Sequence, residues 1–227
     1  MIFVKLLVVA AHPDDEVLGC GGAIAKLSQE NDVYTLILGE GATSRDMPEE
    51  EKKQAVSQLR REAISANKKL NVKKVFFEEF PDNKFDTVPL LDIIKVIERH
   101  IQKIKPEVIY THHGGDLNID HQITHRAVLT VARPVGDNSI KKILLYEILS
   151  CTEWSDLDPC SSFMPNTYVG ISETINMKLE AMRCYKSEIR EYPHPRSLEG
   201  IKILAQKRGL EVGLKVAEAF CLVRCIE

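Results

Sequence analysis

The chain contains no Cys-x-x-Cys pair, no Gly-x-Ser-x-Gly and no apolar run near the roughly 20 residues that a bilayer-spanning helix needs. The six cysteines (Cys20, Cys151, Cys160, Cys184, Cys221 and Cys225) therefore follow no disulfide-framework spacing, and a reduced, cytoplasmic compartment is expected. A serine nucleophile on a strand-to-helix elbow is excluded. Charge of one sign is also lacking. Thirty basic against 33 acidic side chains leave a net charge of −3, which gives a polyanion such as nucleic acid nothing to bind. Residues 1–11 are apolar, but Lys5 interrupts them and the uninterrupted remainder is too short for a signal peptide. They read as a buried strand. Cys221 and Cys225, four apart without a partner pair, are expected to pack in the core rather than hold a metal.

What is present is alternation. Short, β-branched apolar runs at 3–11, 33–38, 74–77, 108–111 and 143–149 predict strands buried on both faces. Between them, Ala55, Leu59, Ala63, Ala66 and Leu70 after Pro48 recur near the helical period, as do Ile94, Ile97, Ile101 and Ile104 after Pro89. Strand then helix, repeated, requires crossover connections. The expected fold class is α/β: a Rossmann-like, doubly wound, mainly parallel sheet with helices on both faces, one domain over 1–227. Residues 151–166 lose periodicity and read as a long surface loop that shapes specificity. From 172 onward the chain is expected to return to helix, interrupted by Tyr192-Pro193-His194-Pro195-Arg196.

In doubly wound sheets the ligand sits beyond the carboxyl ends of the strands where their order reverses. Ala11-His12-Pro13-Asp14-Asp15-Glu16 follows the first predicted strand and puts three carboxylates and an imidazole within five residues. So many acids repel one another unless a divalent cation sits among them. His12 and Asp15, three apart, share one side of a helical turn. Helix capping by Asp14 or Asp15 would need one acid and leave the histidine unexplained. A catalytic zinc wants a third N or O ligand, and Asp116-Leu117-Asn118-Ile119-Asp120-His121 after the fourth strand offers His121. His125 stands four later, a zincin-like spacing, but Gln122 replaces the glutamate that a zincin requires.

The first motif, with Asp120-His121 about a hundred residues on and Gly19 to Gly22 near the helix start, resembles the PIG-L/LmbE-like family of zinc-dependent N-deacetylases. The resemblance runs over nearly the whole chain. It implies one Zn²⁺ per chain held by His12, Asp15 and His121, Asp14 as general base toward a metal-activated water, and an N-acetylglucosamine-type sugar or glycoconjugate as substrate. It further implies a homo-oligomer, trimer or hexamer. Many members carry an oxyanion-stabilising histidine three residues before the third ligand, where this chain has Asn118. An amide donates a hydrogen bond but does not titrate, so the proton for the leaving amine must travel by Asp14, with His112, His113 or His194 as alternatives. Asp120 is then expected to orient a neighbour, and Glu16 to support the ligands from behind.

Asp82, His113, His194 and Arg196 are the expected substrate-binding residues. Asp82 follows a strand end, and His194 and Arg196 are fixed in a proline-bracketed loop, suited to sugar hydroxyls or a phosphate. Trp154 is a further candidate for stacking on a sugar face. Arg60 and Arg61 read as solvated surface. A nucleotide-binding reading of Gly19-Cys20-Gly21-Gly22 fails, because Ile24 takes the third glycine position and the glycines lie eight residues beyond the strand. Close packing of helix on sheet accounts for them. Two alternatives to the deacetylase are a catalytically silent sugar binder and a zinc hydrolase of a different small amide.

Overall fold

The computed structural model describes residues 3–136, 139–156 and 161–227, so Cys160 and the middle of the 151–166 loop lie outside the described residues. Strand β1 (Lys5–Ala10) shows how sequence sets the layers. Leu6, Val8 and Ala10 enter one core and Leu7 and Val9 the other, because successive side chains of a strand point to opposite faces. Both sets are apolar, as a strand covered on both sides requires.

From β1 the chain alternates through α1 (Asp15–Leu27), β2 (Asp32–Gly39), α2 (Glu49–Lys69), β3 (Lys74–Phe80), a 3₁₀ turn (Phe85–Thr87), α3 (Leu90–Ile104), β4 (Val108–His112), α4 (Ile119–Val131) and β5 (Lys142–Tyr146). It ends with β6 (Thr167–Gly170), α5 (Ile175–Met182), α6 (Leu198–Leu210) and β7 (Ala217–Cys225). The seven-stranded sheet runs β3-β2-β1-β4-β5-β7-β6. Its first five strands are parallel, and β7 is antiparallel to both neighbours. Helices α1, α2, α5 and α6 cover one face through Leu18, Leu59, Met182 and Ile201, while Ile97 of α3 and Val128 of α4 cover the other. The fold is the doubly wound α/β unit that the alternation predicts. Among the described residues no helix is long and apolar enough to cross a membrane.

Two expectations need correction. The segment 217–225 is a strand, not helix; its apolar run suits either, and pairing with β5 decides. Cys221 and Cys225 consequently lie roughly 13 Å apart along an extended chain, too far for a shared metal. Cys221 is half-buried and packs against the core as expected, whereas Cys225 is exposed.

The glycines after Asp15 serve packing. A Cβ on Gly19 would lie 2.4 Å from the Tyr146 ring, and one on Gly22 would lie 2.7 Å from Ile171. Tyr146 cannot retreat easily, since its hydroxyl donates to the Val9 carbonyl at 2.9 Å. Gly19→Ala is therefore expected to destabilise the fold by about 1–3 kcal/mol, the usual cost of overpacking, read as a lower urea midpoint at unchanged m-value.

Candidate metal centre

The strand order reverses between β1 and β4, and the two segments rich in acid and imidazole leave the carboxyl ends of these neighbours. Asp14 opens the site with a positive φ of 102°, uncommon for a residue with a Cβ and a mark of backbone held by its surroundings. The turn is pinned at both ends. Asp15 Oδ2 accepts from the His12 backbone N–H at 2.8 Å, and Glu16 Oε2 from that of Asp14 at 3.1 Å. Glu16 is fully buried and also accepts from Asn67 of α2 at 2.8 Å and from the Tyr185 hydroxyl at 2.5 Å. Burial raises its pKa to about 7 against these donors. It braces the turn from behind.

His12, Asp15 and His121 each offer a ligand atom within 4.8 Å of the others, and all three are buried. His12 Nδ1 is 3.6 Å and His121 Nε2 is 3.3 Å from Asp15 Oδ2. The far nitrogen of each ring meets a carboxylate: His12 Nε2 is 2.8 Å from Asp120, and His121 Nδ1 is 3.1 Å from Asp116. Carboxylate behind imidazole is the arrangement that fixes tautomer and ring orientation in a metal ligand. The field agrees. Burial opposes charge on His12, yet Asp120, Asp15 and Asp82 raise its pKa to about 10; His121, likewise buried, is raised to about 9 chiefly by Asp15 and Asp116. Burial opposes ionisation of Asp15, but His121 and His112 hold its carboxyl well below the usual range. The pocket calls for positive charge, and its two imidazoles and carboxylate suit a divalent ion of zinc type.

The chain matches the family model for GlcNAc-PI de-N-acetylase, PIG-L, over residues 7–132, more than half its length. It belongs to the PIG-L family. This PIG-L family member is 28% identical over 190 residues to the uncharacterized deacetylase YaiS of Escherichia coli, covering 80% of this chain and 90% of that one. It is 28% identical over 197 residues to the diacetylchitobiose deacetylase of Thermococcus kodakarensis, covering 82% and 71%. Its fold superposes on the structure of the N,N'-diacetylchitobiose deacetylase of Pyrococcus horikoshii with a TM-score of 0.79, at 20% identity and with 97% and 84% of the two chains covered. Those relatives are deacetylases. A likeness at 20% identity shows the fold, and the reaction has to be argued from side chains.

In this PIG-L member Asp120 is tied into the site by more than His12: its carboxylate also accepts the backbone N–H of Asn83 at 2.6 Å and of Phe85 at 2.9 Å. Asp82 Oδ1 lies 3.3 Å from His12 Nε2, inside the acidic cluster. Asn118 caps α4: its Oδ1 accepts from Asp120 N–H at 2.8 Å and its Nδ2 donates to Asn83 at 3.0 Å. Asn118→Ala is expected to lower stability by about 1 kcal/mol and Asn118→Ser to lower it less, since serine also caps; thermal unfolding reads both. His113 turns to the loop after β5, with Nε2 2.7 Å from the Ser161 carbonyl and its ring against Phe163. His194 accepts from the Arg196 N–H at 3.1 Å and meets the half-exposed Trp154 edge-on. Arg196 reaches Asp14, 3.3 Å away. Arg60 pairs with exposed Glu79 on the surface.

Sequence reading gave Asp116 no role and named His112 only as an alternative proton carrier. Asp116 backs His121 and is itself held by Thr152 at 2.8 Å. His112 accepts the Ala11 N–H at 2.8 Å, joining the ends of β1 and β4, and stacks on His121 at 4.0 Å. Burial and the neighbouring His121 keep its pKa well below the usual value. The clue to Asp116 was its place in the same loop as His121, whose far nitrogen needs an acceptor.

Proposed function

We propose that this chain is a zinc-dependent hydrolase that removes the N-acetyl group from an N-acetylglucosamine-type sugar or glycoconjugate. The observation that carries the reading is a carboxylate with no ligand duty, Asp14, placed by its own backbone between two residues of a buried His-Asp-His cluster. A Zn²⁺ held by His12, Asp15 and His121 would lower the pKa of a bound water to about 7 and polarise the amide carbonyl. Asp14 is the general base. It takes the proton of the water that attacks the acetyl carbonyl and delivers that proton to the departing amine, which Asn118 cannot do. Burial raises the Asp14 pKa well above the usual carboxylate range while Arg196 pulls it down, and a raised pKa suits a group that must both accept and release a proton near neutrality.

Room for the sugar lies alongside. A cavity of about 550 Å³ is lined in part by Leu149, Thr152, Phe163, Tyr192 and Arg208; two of these touch residues of the site, Thr152 through Asp116 and Leu149 through Arg196. Its volume falls within the roughly 300–1,000 Å³ of small-molecule sites. Residues 1–227 are read as one deacetylase domain, since a residue near the C-terminal end closes on Asp14. The test is acetate release by zinc-loaded protein from a panel of free, lipid-linked and nucleotide-linked N-acetylated sugars. Release from at least one supports the reading, and no release from any of them contradicts it.

A further inference from the structure

Arg196 is separated from Asp14 by 182 residues, yet its Nη1 donates to Asp14 Oδ2 at 3.3 Å. Among the described residues it is the one side chain that donates to this carboxylate, which is 3% exposed. Each nitrogen of the guanidinium has a protein partner, and the side chain is 21% exposed. Its Nε donates to Ser150 Oγ at 2.7 Å and to the Leu149 carbonyl at 3.4 Å, and its Nη2 lies 3.8 Å from Cys151 Sγ. Nη1 also lies 3.9 Å from Glu188 Oε2, and Glu188 is itself gripped by Arg45 at 2.5 Å and by Ser187 at 2.9 Å.

The anchor is stiff on the backbone side too. Ser197, the next residue, caps α6 by accepting the Gly200 N–H at 2.9 Å, so Arg196 sits one residue before a fixed helix start. A planar fork with a protein partner at each nitrogen is oriented before any substrate arrives. It has much to offer one carboxylate oxygen. We propose that Arg196 is a positioning residue: it clamps Asp14 Oδ2 and leaves Oδ1 presented for proton transfer, rather than binding substrate as the proline-bracketed loop suggests in the sequence. Glu188 and Arg45 brace the clamp. The proposal rests on the deacetylase reading of the site, and it makes the C-terminal third of the chain part of the catalytic apparatus.

A misplacement of about 1 Å at a reacting group can cost on the order of a hundredfold in rate, so Arg196→Ala is expected to lower kcat by about that factor. KM should stay within about twofold and zinc content should stay unchanged, because the lost contact is made to the base and not to substrate or metal. Added guanidinium should restore part of the lost kcat, which a merely structural role would not allow. In the Asp14→Asn background, Arg196→Ala should cost no further rate, because residues that act as a unit are not additive. A rise in KM at unchanged kcat, or fully additive losses, overturns the proposal. Arg196→Lys carries the same comparison should the alanine variant not fold.

If the wild-type protein releases no acetate from any substrate, the functional reading fails, but the clamp is still decided by the unfolding equilibrium in urea. Arg196→Ala and Asp14→Ala, which removes the accepting oxygen, should then show a coupling of at least about fivefold in the unfolding constant, as contacting residues do. Independent effects there would mean that no clamp exists.

Discussion

Asp14→Asn is expected to lower kcat for acetate release by about 10²–10⁴-fold, the range that general acid–base catalysis contributes. Asparagine matches the carboxylate in shape and can still meet Arg196, but it accepts no proton at working pH. Zinc content should not change, because the proposed ligand atoms belong to His12, Asp15 and His121, which lie together without Asp14. Initial rates together with metal analysis of the same preparation check both halves. A variant within tenfold of wild type would remove Asp14 from the chemistry, and one that also lost its metal would make it a ligand. The Asp14 backbone strengthens the expectation: a φ of 102° is held against its ordinary preference, and strain of this kind gathers at functional positions.

Stripping the metal with a chelator is expected to abolish turnover and to destabilise the fold. Asp14, Asp15, Asp82, Asp116 and Asp120 are all buried, with only two raised imidazoles and Arg196 to offset them nearby. A cation that binds the folded state alone adds stability by mass action, about 2.7 kcal/mol at a hundred times its dissociation constant. Unfolding midpoints with and without Zn²⁺ should therefore separate, and the gap should widen with free zinc. Adding Zn²⁺ back should restore the rate. Full activity in stripped protein, or midpoints that coincide, would contradict this.

Much of this was legible in sequence because it is local. The parallel strands declared themselves as continuous apolar runs, and His12, Asp14 and Asp15 fall within a single turn after β1. His121 was legible because the strand order places the end of β4 beside that of β1. What escaped was non-local or ambiguous. Strand β7 has Ala217, Glu218 and Ala219 at its start, and only its partners β5 and β6 make it a strand. Arg196 was visible as a constrained cation, but no spacing rule links it to Asp14, 182 residues away. His113 is expected from sequence to bind substrate and His112 only to carry a proton; His112 is the ring that enters the site, since adjacent residues at a strand end face opposite ways.

One divalent ion is expected to sit among His12, Asp15 and His121 with Asp14 beside it. The most direct test is equilibrium dialysis against Zn²⁺ followed by metal analysis of the wild-type protein and of His12→Ala, Asp15→Ala, His121→Ala and Asp14→Asn, each checked for folding by circular dichroism. About one zinc per chain is expected in the wild type and in Asp14→Asn, and a loss of tight binding in each of the three ligand variants. Retention of one tightly held zinc by folded His121→Ala or His12→Ala protein would place the metal elsewhere and contradict the account.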